Sequence, residues 1–126
     1  MQRSSGFTLI ELLIVITISA MAISLVGGLT IDSITKFKAK AEQIRLKSFL
    51  RQSSHQAFIH EKQLTVKSTA NSLRLLRENK SVHILQFEYL TFQDGELHIN
   101  PAGFFSGSQL SYVLNGRRIT LGLQSL

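Results

Sequence analysis

From Phe7 to Ile31 the chain is apolar or weakly polar at every position but one, and the exception is Glu11. Leu, Ile, Val and Ala dominate, and no proline interrupts the run. About 20 apolar residues cross the hydrocarbon core of a bilayer, so residues 7–31 are predicted to be a transmembrane helix. After Ile31 the pattern turns amphipathic. Ile34, Phe37, Ala41 and Ile44 recur at three- and four-residue steps, and Phe49, Leu50, Ala57 and Phe58 continue less regularly. That spacing predicts one helical stripe over residues 32–62, packed on the domain that follows. Lys36, Lys38, Lys40, Arg45, Lys47 and Arg51 fall mostly off the stripe. Residues 7 to about 60 thus read as one helix. Its weak point is Gly27-Gly28, since each glycine costs about 1 kcal/mol against alanine in a helix interior. Two readings stand there, a local kink or close helix packing over small side chains.

From Gln63 the alternation shortens to that of strands. Leu64 to Val66 and Leu73 to Leu76 flank a turn at Ala70-Asn71-Ser72, and Asn79-Lys80 marks another break. Val82 to Phe92 is the longest strand-like stretch, with Leu85, Phe87 and Tyr89 expected on one face. Asp94-Gly95 predicts a hairpin, with Leu97 and Ile99 beyond it, and Asn100-Pro101-Ala102-Gly103 predicts a turn. Asn115-Gly116, between Leu110–Leu114 and Ile119–Leu123, is the strongest hairpin signal. The expected architecture is α+β: a long N-terminal helix, transmembrane in its first half, packed on a small antiparallel β-rich domain over residues 63–126.

Composition sharpens this outline. The chain has 126 residues, a formal charge of +6 and no cysteine. Roughly 95 residues remain beyond the apolar segment, enough for one small domain. That part, residues 32–126, carries thirteen Lys or Arg against seven Asp or Glu. Basicity permits contact with nucleic acid or anionic surfaces without requiring it. The basic helix face is first a solvated face, and it follows the membrane exit closely enough to touch lipid headgroups.

Glu11 needs a reason. Insertion scales put an acid at a transmembrane helix centre at roughly 2.5–3.5 kcal/mol, less near the interface. Taken alone, the residue is a helix-start carboxylate favoured by the macrodipole. Taken with its neighbours, Gly6-Phe7-Thr8-Leu9-Ile10-Glu11-Leu12-Leu13 resembles the processing site of type IV prepilins and type II secretion pseudopilins. The resemblance implies a leader at residues 1–6, cleavage between Gly6 and Phe7 by a prepilin peptidase, N-methylation of Phe7, and pairing of Glu11 with a subunit's amine during assembly. A secretory signal peptide is the rival for this terminus, with Ser19-Ala20-Met21-Ala22 as its cleavage candidate.

The segment Ile99 to Gly103, followed by a hairpin and an Ile-x-Leu strand, resembles the C-terminal half of H-type minor pseudopilins and related minor pilins. No acidic residue follows Glu96, so the calcium loop of major pseudopilins has no counterpart. The disulfide of many pilins is absent too. The missing calcium loop points to a minor subunit. Charge counting conflicts with the family. Arg3 precedes the span, while Lys36, Lys38 and Lys40 follow it. The positive-inside rule would place the C-terminal domain in the cytoplasm; the resemblance implies the periplasmic or extracytoplasmic side of a bacterial inner membrane, and it is the more specific signal.

No catalytic constellation emerges. His60-Glu61 lacks a second His at metalloprotease spacing, because position 64 is Leu. His55, His83 and His98 have no cysteine near them, and Gly103 to Gly107 has the wrong spacing for a nucleophile elbow. No enzyme activity, metal, cofactor or small-molecule substrate is expected. The resemblance implies a structural subunit, a minor pilin or pseudopilin of a pilus-like or type II secretion filament. Its partners would be other pilin-like subunits, the prepilin peptidase and the inner membrane. The alternative is a DNA-binding minor pilin of an uptake pilus, with Arg117 and Arg118 at a hairpin tip as the candidate phosphate contacts.

Overall fold

The computed structural model describes residues 6–107 and 109–126, with the side chains of residues 28–30 and 125 excepted. Residues 1–5 of the expected leader lie outside the described residues. A single helix, α1, runs over Leu9–His60. The chain divides into two compact units, the first ending at Phe37 and the second beginning at Lys38.

Among its described residues the first unit is helix from Leu9 onward, after the non-helical Gly6 to Thr8. Its apolar side chains stand exposed, among them Leu9, Ile10, Leu13, Ile16, Met21 and Leu25. It is apolar and long enough to cross a membrane. Thr17 Oγ1 donates to the Leu13 carbonyl at 2.8 Å and Thr35 Oγ1 to the Ile31 carbonyl at 3.1 Å. Hydroxyls satisfied on their own helix need nothing from a hydrocarbon environment. The helix is unbroken at Gly27-Gly28, and a Cβ added to Gly27 would meet nothing within 4 Å. Among the described residues of this chain no atom packs against the Gly27 position.

In the second unit, the rest of α1 is joined by seven strands: β1 Leu64–Thr69, β2 Ser72–Arg77, β3 Lys80–Gln86, β4 Leu90–Phe92, β5 Gly95–Ile99, β6 Gln109–Leu114 and β7 Arg117–Gly122. They form two antiparallel sheets, ordered β3-β2-β1-β5 and β4-β6-β7. Alternating residues point to one core: Leu64 and Val66, Leu73 and Leu75, Leu85, Leu90 and Phe92, Ile99, Leu110 and Tyr112. The helix contributes Leu46, Phe49, Leu50 and Ala57. Full burial of one such leucine is worth about 1.5–3 kcal/mol. Burial also holds the Tyr112 phenol above its usual pKa, against a hydrogen bond from Gln43 Nε2 that acts in the opposite direction.

The buried helical stripe differs from the expected one. Ala39, Leu46, Phe49, Leu50, Ser53 and Ala57 are buried, whereas Ile34, Phe37, Ala41 and Ile44 are exposed. At 3.6 residues per turn, Ile44 lies roughly 160° around the helix from Leu46. Two faces of the helix are apolar, and the periodicity marks both without saying which one the sheets cover.

The Val82–Phe92 stretch is likewise not one strand. It breaks after Gln86, and β3 and β4 belong to different sheets. Leu85 and Phe87 are buried as expected, but Tyr89 is only half-buried. Glu42 on the helix holds the break: its carboxylate accepts the backbone N–H of Glu88 at 2.7 Å and of Tyr89 at 2.8 Å. These amides would otherwise lose partners where the chain changes sheets. Asp94-Gly95 is not a hairpin either, because β4 pairs with β6 and β5 with β1. The buried Ser68 hydroxyl secures this connection through the carbonyls of Gln93 at 2.7 Å and Gly95 at 3.1 Å.

The Asn115-Gly116 hairpin stands as expected. Leu114 pairs with Arg117, and the two turn residues have φ of 50° and 75°, as a type I′ turn demands. A second two-residue turn falls at Glu78-Asn79, with φ of 52° and 63°, one residue earlier than the expected break. Lys62 reaches Glu78 at 2.8 Å, and its hydrogen bond and charge lower the Glu78 pKa.

Chemical denaturation of the full chain in detergent, followed by circular dichroism, tests this packing. Leu50→Ala is expected to cost about 2–5 kcal/mol, while Ile44→Ala should stay within about 0.5 kcal/mol. Glu42→Ala is expected to cost about 1.5–3 kcal/mol, as a charged acceptor of two amides is lost.

Candidate functional site

The octet at the start of α1 has a defined local structure. Thr8 is the last residue before the helix and acts as its cap. Thr8 donates to Glu11 Oε2 twice, from its backbone N at 2.9 Å and from Oγ1 at 3.0 Å. In return the Glu11 backbone N–H is directed at Thr8, 3.1 Å from its carbonyl and 3.4 Å from Oγ1. This is a capping box, in which a Thr and the Glu three residues later satisfy each other's loose groups. The signal for it is the Thr8-x-x-Glu11 spacing, which the uninterrupted apolar run around the acid masks.

The box matters for the acid's energetics. An unpaired carboxylate beside an apolar helix is costly, and hydrogen bonds from its own chain reduce that cost. Glu11 therefore has a resting partner in the uncleaved chain. Phe7 is an internal residue there and carries an amide, not an amine.

Gly6 and Phe7 precede the helix and are exposed, Phe7 at 82%. A Cβ on Gly6 would meet nothing within 4 Å. The peptide bond between them lies in non-helical chain, where a protease can take it in extended form. Glu11 is one helical turn away, so the octet places an accessible peptide bond beside a capped acid.

The arginines at the other end of the chain are arranged differently. Arg117 and Arg118 are exposed and open β7 directly after the turn. Successive strand residues point to opposite faces, so the two side chains are not brought together. Arg118 lies with Thr91 and Val113 along the outer face of the β4-β6-β7 sheet. Arg117 shares the opposite face with Ile119 and Leu121.

Two of the histidines have local partners. His83 stacks on Phe49 with ring centroids 5.8 Å apart, and His98 Nδ1 is 3.1 Å from Thr65 Oγ1. Among the described residues no three of His, Asp and Glu gather in a form able to hold a metal ion.

Residues 1–27 match the family model for the prokaryotic N-terminal methylation motif. No curated protein and no solved structure matches the chain. The matched segment contains the Gly6-Phe7 bond, the capping box and the start of the apolar helix. This motif is the signature of type IV pilins and pseudopilins, a structural rather than an enzymatic family. An apolar helix behind it fits a single-pass membrane anchor. The N-terminal segment of the chain thus carries the type IV pilin and pseudopilin signature.

Proposed function

We propose that the protein is a minor pilin or pseudopilin, a structural subunit of an inner-membrane filament in a type IV pilus or type II secretion system. The observation that carries this reading is the second apolar helix face. The domain's core takes Leu46, Phe49, Leu50 and Ala57, and leaves Ala41 and Ile44 uncovered on the other side. Among the described residues nothing covers Ala41, and helices of neighbouring subunits can bury this face beyond the flank where Ile44 lies beside β7. The exposed apolar residues of the first unit suit lipid before assembly and other helices after it.

The octet supplies the switch between those states. Cleavage after Gly6 would give Phe7 a positive amine, which is then N-methylated. Glu11, held until then by Thr8, would exchange a neutral donor for an ammonium from a neighbouring subunit. Charge-assisted hydrogen bonds are roughly twice as strong as neutral ones, so the exchange favours assembly. A subunit in the wrong axial register would leave both charges unpaired, which sets the register. In this reading residues 1–6 are the leader, 7–31 the membrane span, 32–62 its amphipathic continuation and 63–126 the β-rich domain, held outside the cytoplasm.

A second reading rests on Arg117 and Arg118. Both are exposed, and among the described residues neither forms an ion pair. They could contact DNA phosphates, though from opposite faces of β7 and not as one clamp.

Three measurements test these readings. Mass spectrometry of membrane-extracted protein is expected to find Phe7 at the N-terminus, methylated; replacing Gly6 with a bulky residue should keep the leader on. An intact Met1 start in cells with active prepilin peptidase would refute processing. Crosslinking to other pilin-like subunits is expected to fall about tenfold or more in Glu11→Gln, since a buried ammonium loses its charge partner. Thr8→Val weakens the cap by about 0.5–2 kcal/mol and should leave crosslinking near wild type. Equal losses in both variants would reduce Glu11 to a capping residue. For DNA, Arg117→Ala with Arg118→Ala should flatten the salt dependence of binding by about 0.9 in slope per lost phosphate contact. An unchanged slope removes these arginines from that role.

A further inference from the structure

The three-stranded sheet ends in a strand that pairs with another strand on one side only. β7 lies at the edge of the β4-β6-β7 order. Leu114 and Arg117 close the two-residue turn as a hydrogen-bonded pair, so Ile119 and Leu121 also direct their N–H and C=O groups towards β6. The corresponding groups of Arg118 and Thr120 point outward. Among the described residues they have no backbone partner. An exposed row of this kind is a template for another strand, and proteins normally cover or break it. No proline or bulge interrupts β7.

A cleft of about 260 Å³ runs beside this edge, between β7 and α1. Ile119 and Leu121 line one side, and Lys40, Ile44 and Lys47 line the other. Ile44 is 61% exposed, and among the described residues neither lysine forms an ion pair. The three helical residues follow i, i+4, i+7 spacing, which covers about 10.5 Å along the axis. Same-side residues on a strand repeat every 6.8 Å or so, and three of them cover about 14 Å. The flexible four-carbon lysine stems can span the difference.

We propose that the free edge of β7 accepts an extended segment of a partner protein as a fourth strand, with acidic, apolar and acidic side chains at alternate positions. Backbone groups of Arg118 and Thr120 bond the incoming strand. The acidic side chains meet Lys40 and Lys47, and the apolar one covers Ile44 and the Ile119–Leu121 face. Charge selects the occupant. A second copy of this chain carries +6 overall, and its own exposed strands β3 and β7 bring Lys80, Arg117 and Arg118 to their ends, so it would meet like charge. Nucleic acid offers phosphates to the lysines but no N–H and C=O ladder to the strand. The inference rests on this edge and cleft alone, and it holds whether or not Glu11 drives filament assembly.

The test uses the full chain in neutral detergent and a labelled, end-blocked peptide of sequence Thr-Glu-Thr-Val-Thr-Glu-Thr. Anisotropy measures binding, and hydrogen exchange reads the amides of β7. Binding is expected, with new protection at Arg118 and Thr120. Thr120→Pro should reduce affinity about tenfold or more while leaving the hairpin folded, since a proline is tolerated where an edge N–H faces solvent. Lys40→Gln with Lys47→Gln, both at surface positions, should reduce affinity about tenfold as well and remove its salt dependence. A scrambled peptide with its two acids adjacent should bind more weakly. Unchanged binding in Thr120→Pro, equal binding of the scrambled peptide, or binding without protection of β7 would each overturn the proposal. An oligothymidylate that binds as tightly and protects the same amides would assign the cleft to nucleic acid and overturn it too.

Discussion

One helix has to satisfy two apolar demands, and the rest of the molecule follows from that. Over its first half it carries almost no charge, so water is a poor environment for it. Over its second half it is apolar on opposite sides, with Leu46 and Leu50 on one and Ile44 on the other. The small β domain can cover only one side. Two sheets curl around Leu46, Phe49, Leu50 and Ala57 and stop there. The uncovered side gives a physical motive for assembly, because its burial brings the same area-proportional gain that stabilises the core.

Two acids on this helix solve different problems with the same chemistry. Glu42 accepts two backbone amides where the chain leaves one sheet for the other. Glu11 accepts the amide and hydroxyl of Thr8 where the helix begins. In each case a carboxylate satisfies donors that regular structure leaves loose. The difference lies in what can replace the partner. Glu42's amides are part of the folded domain and have nowhere to go. Thr8 is an exposed partner, and its hydrogen bonds to Glu11 lie outside the folded domain.

The domain achieves this without disulfides. Its connections are tight instead: two-residue turns at Ala70-Asn71, Glu78-Asn79 and Asn115-Gly116, and the Ser68 hydroxyl that holds the link between the sheets. Short connections limit the entropy lost on closing each hairpin. The arrangement still leaves edges, and β3 and β7 end their sheets uncovered by any other strand. A subunit that works inside an assembly can keep such edges, since neighbours or partners can cover them.

Much of this was legible in the residues. The long helix, the α+β class and the Asn115-Gly116 hairpin follow from local rules: uninterrupted apolar periodicity, the change to alternation after Gln63, and a dipeptide that favours positive φ. The Gly6 to Glu11 segment was recognisable because its chemistry is local and its spacing fixed. Where the outcome depended on which of two equivalent partners a residue met, local pattern was silent. Periodicity marked Ile44 and Leu46 alike, and only the closing of the sheets chose Leu46. Asp94-Gly95 has the composition of a hairpin, yet β4 found β6 and β5 found β1, because pairing is set by which strand edges the core brings together. Val82 to Phe92 read as one strand because nothing in its own residues shows Glu42 reaching across from the helix. Secondary structure here was a property of the sequence; the choice of face, edge and partner belonged to the tertiary structure, because each of those choices is a competition between contacts distant in the chain.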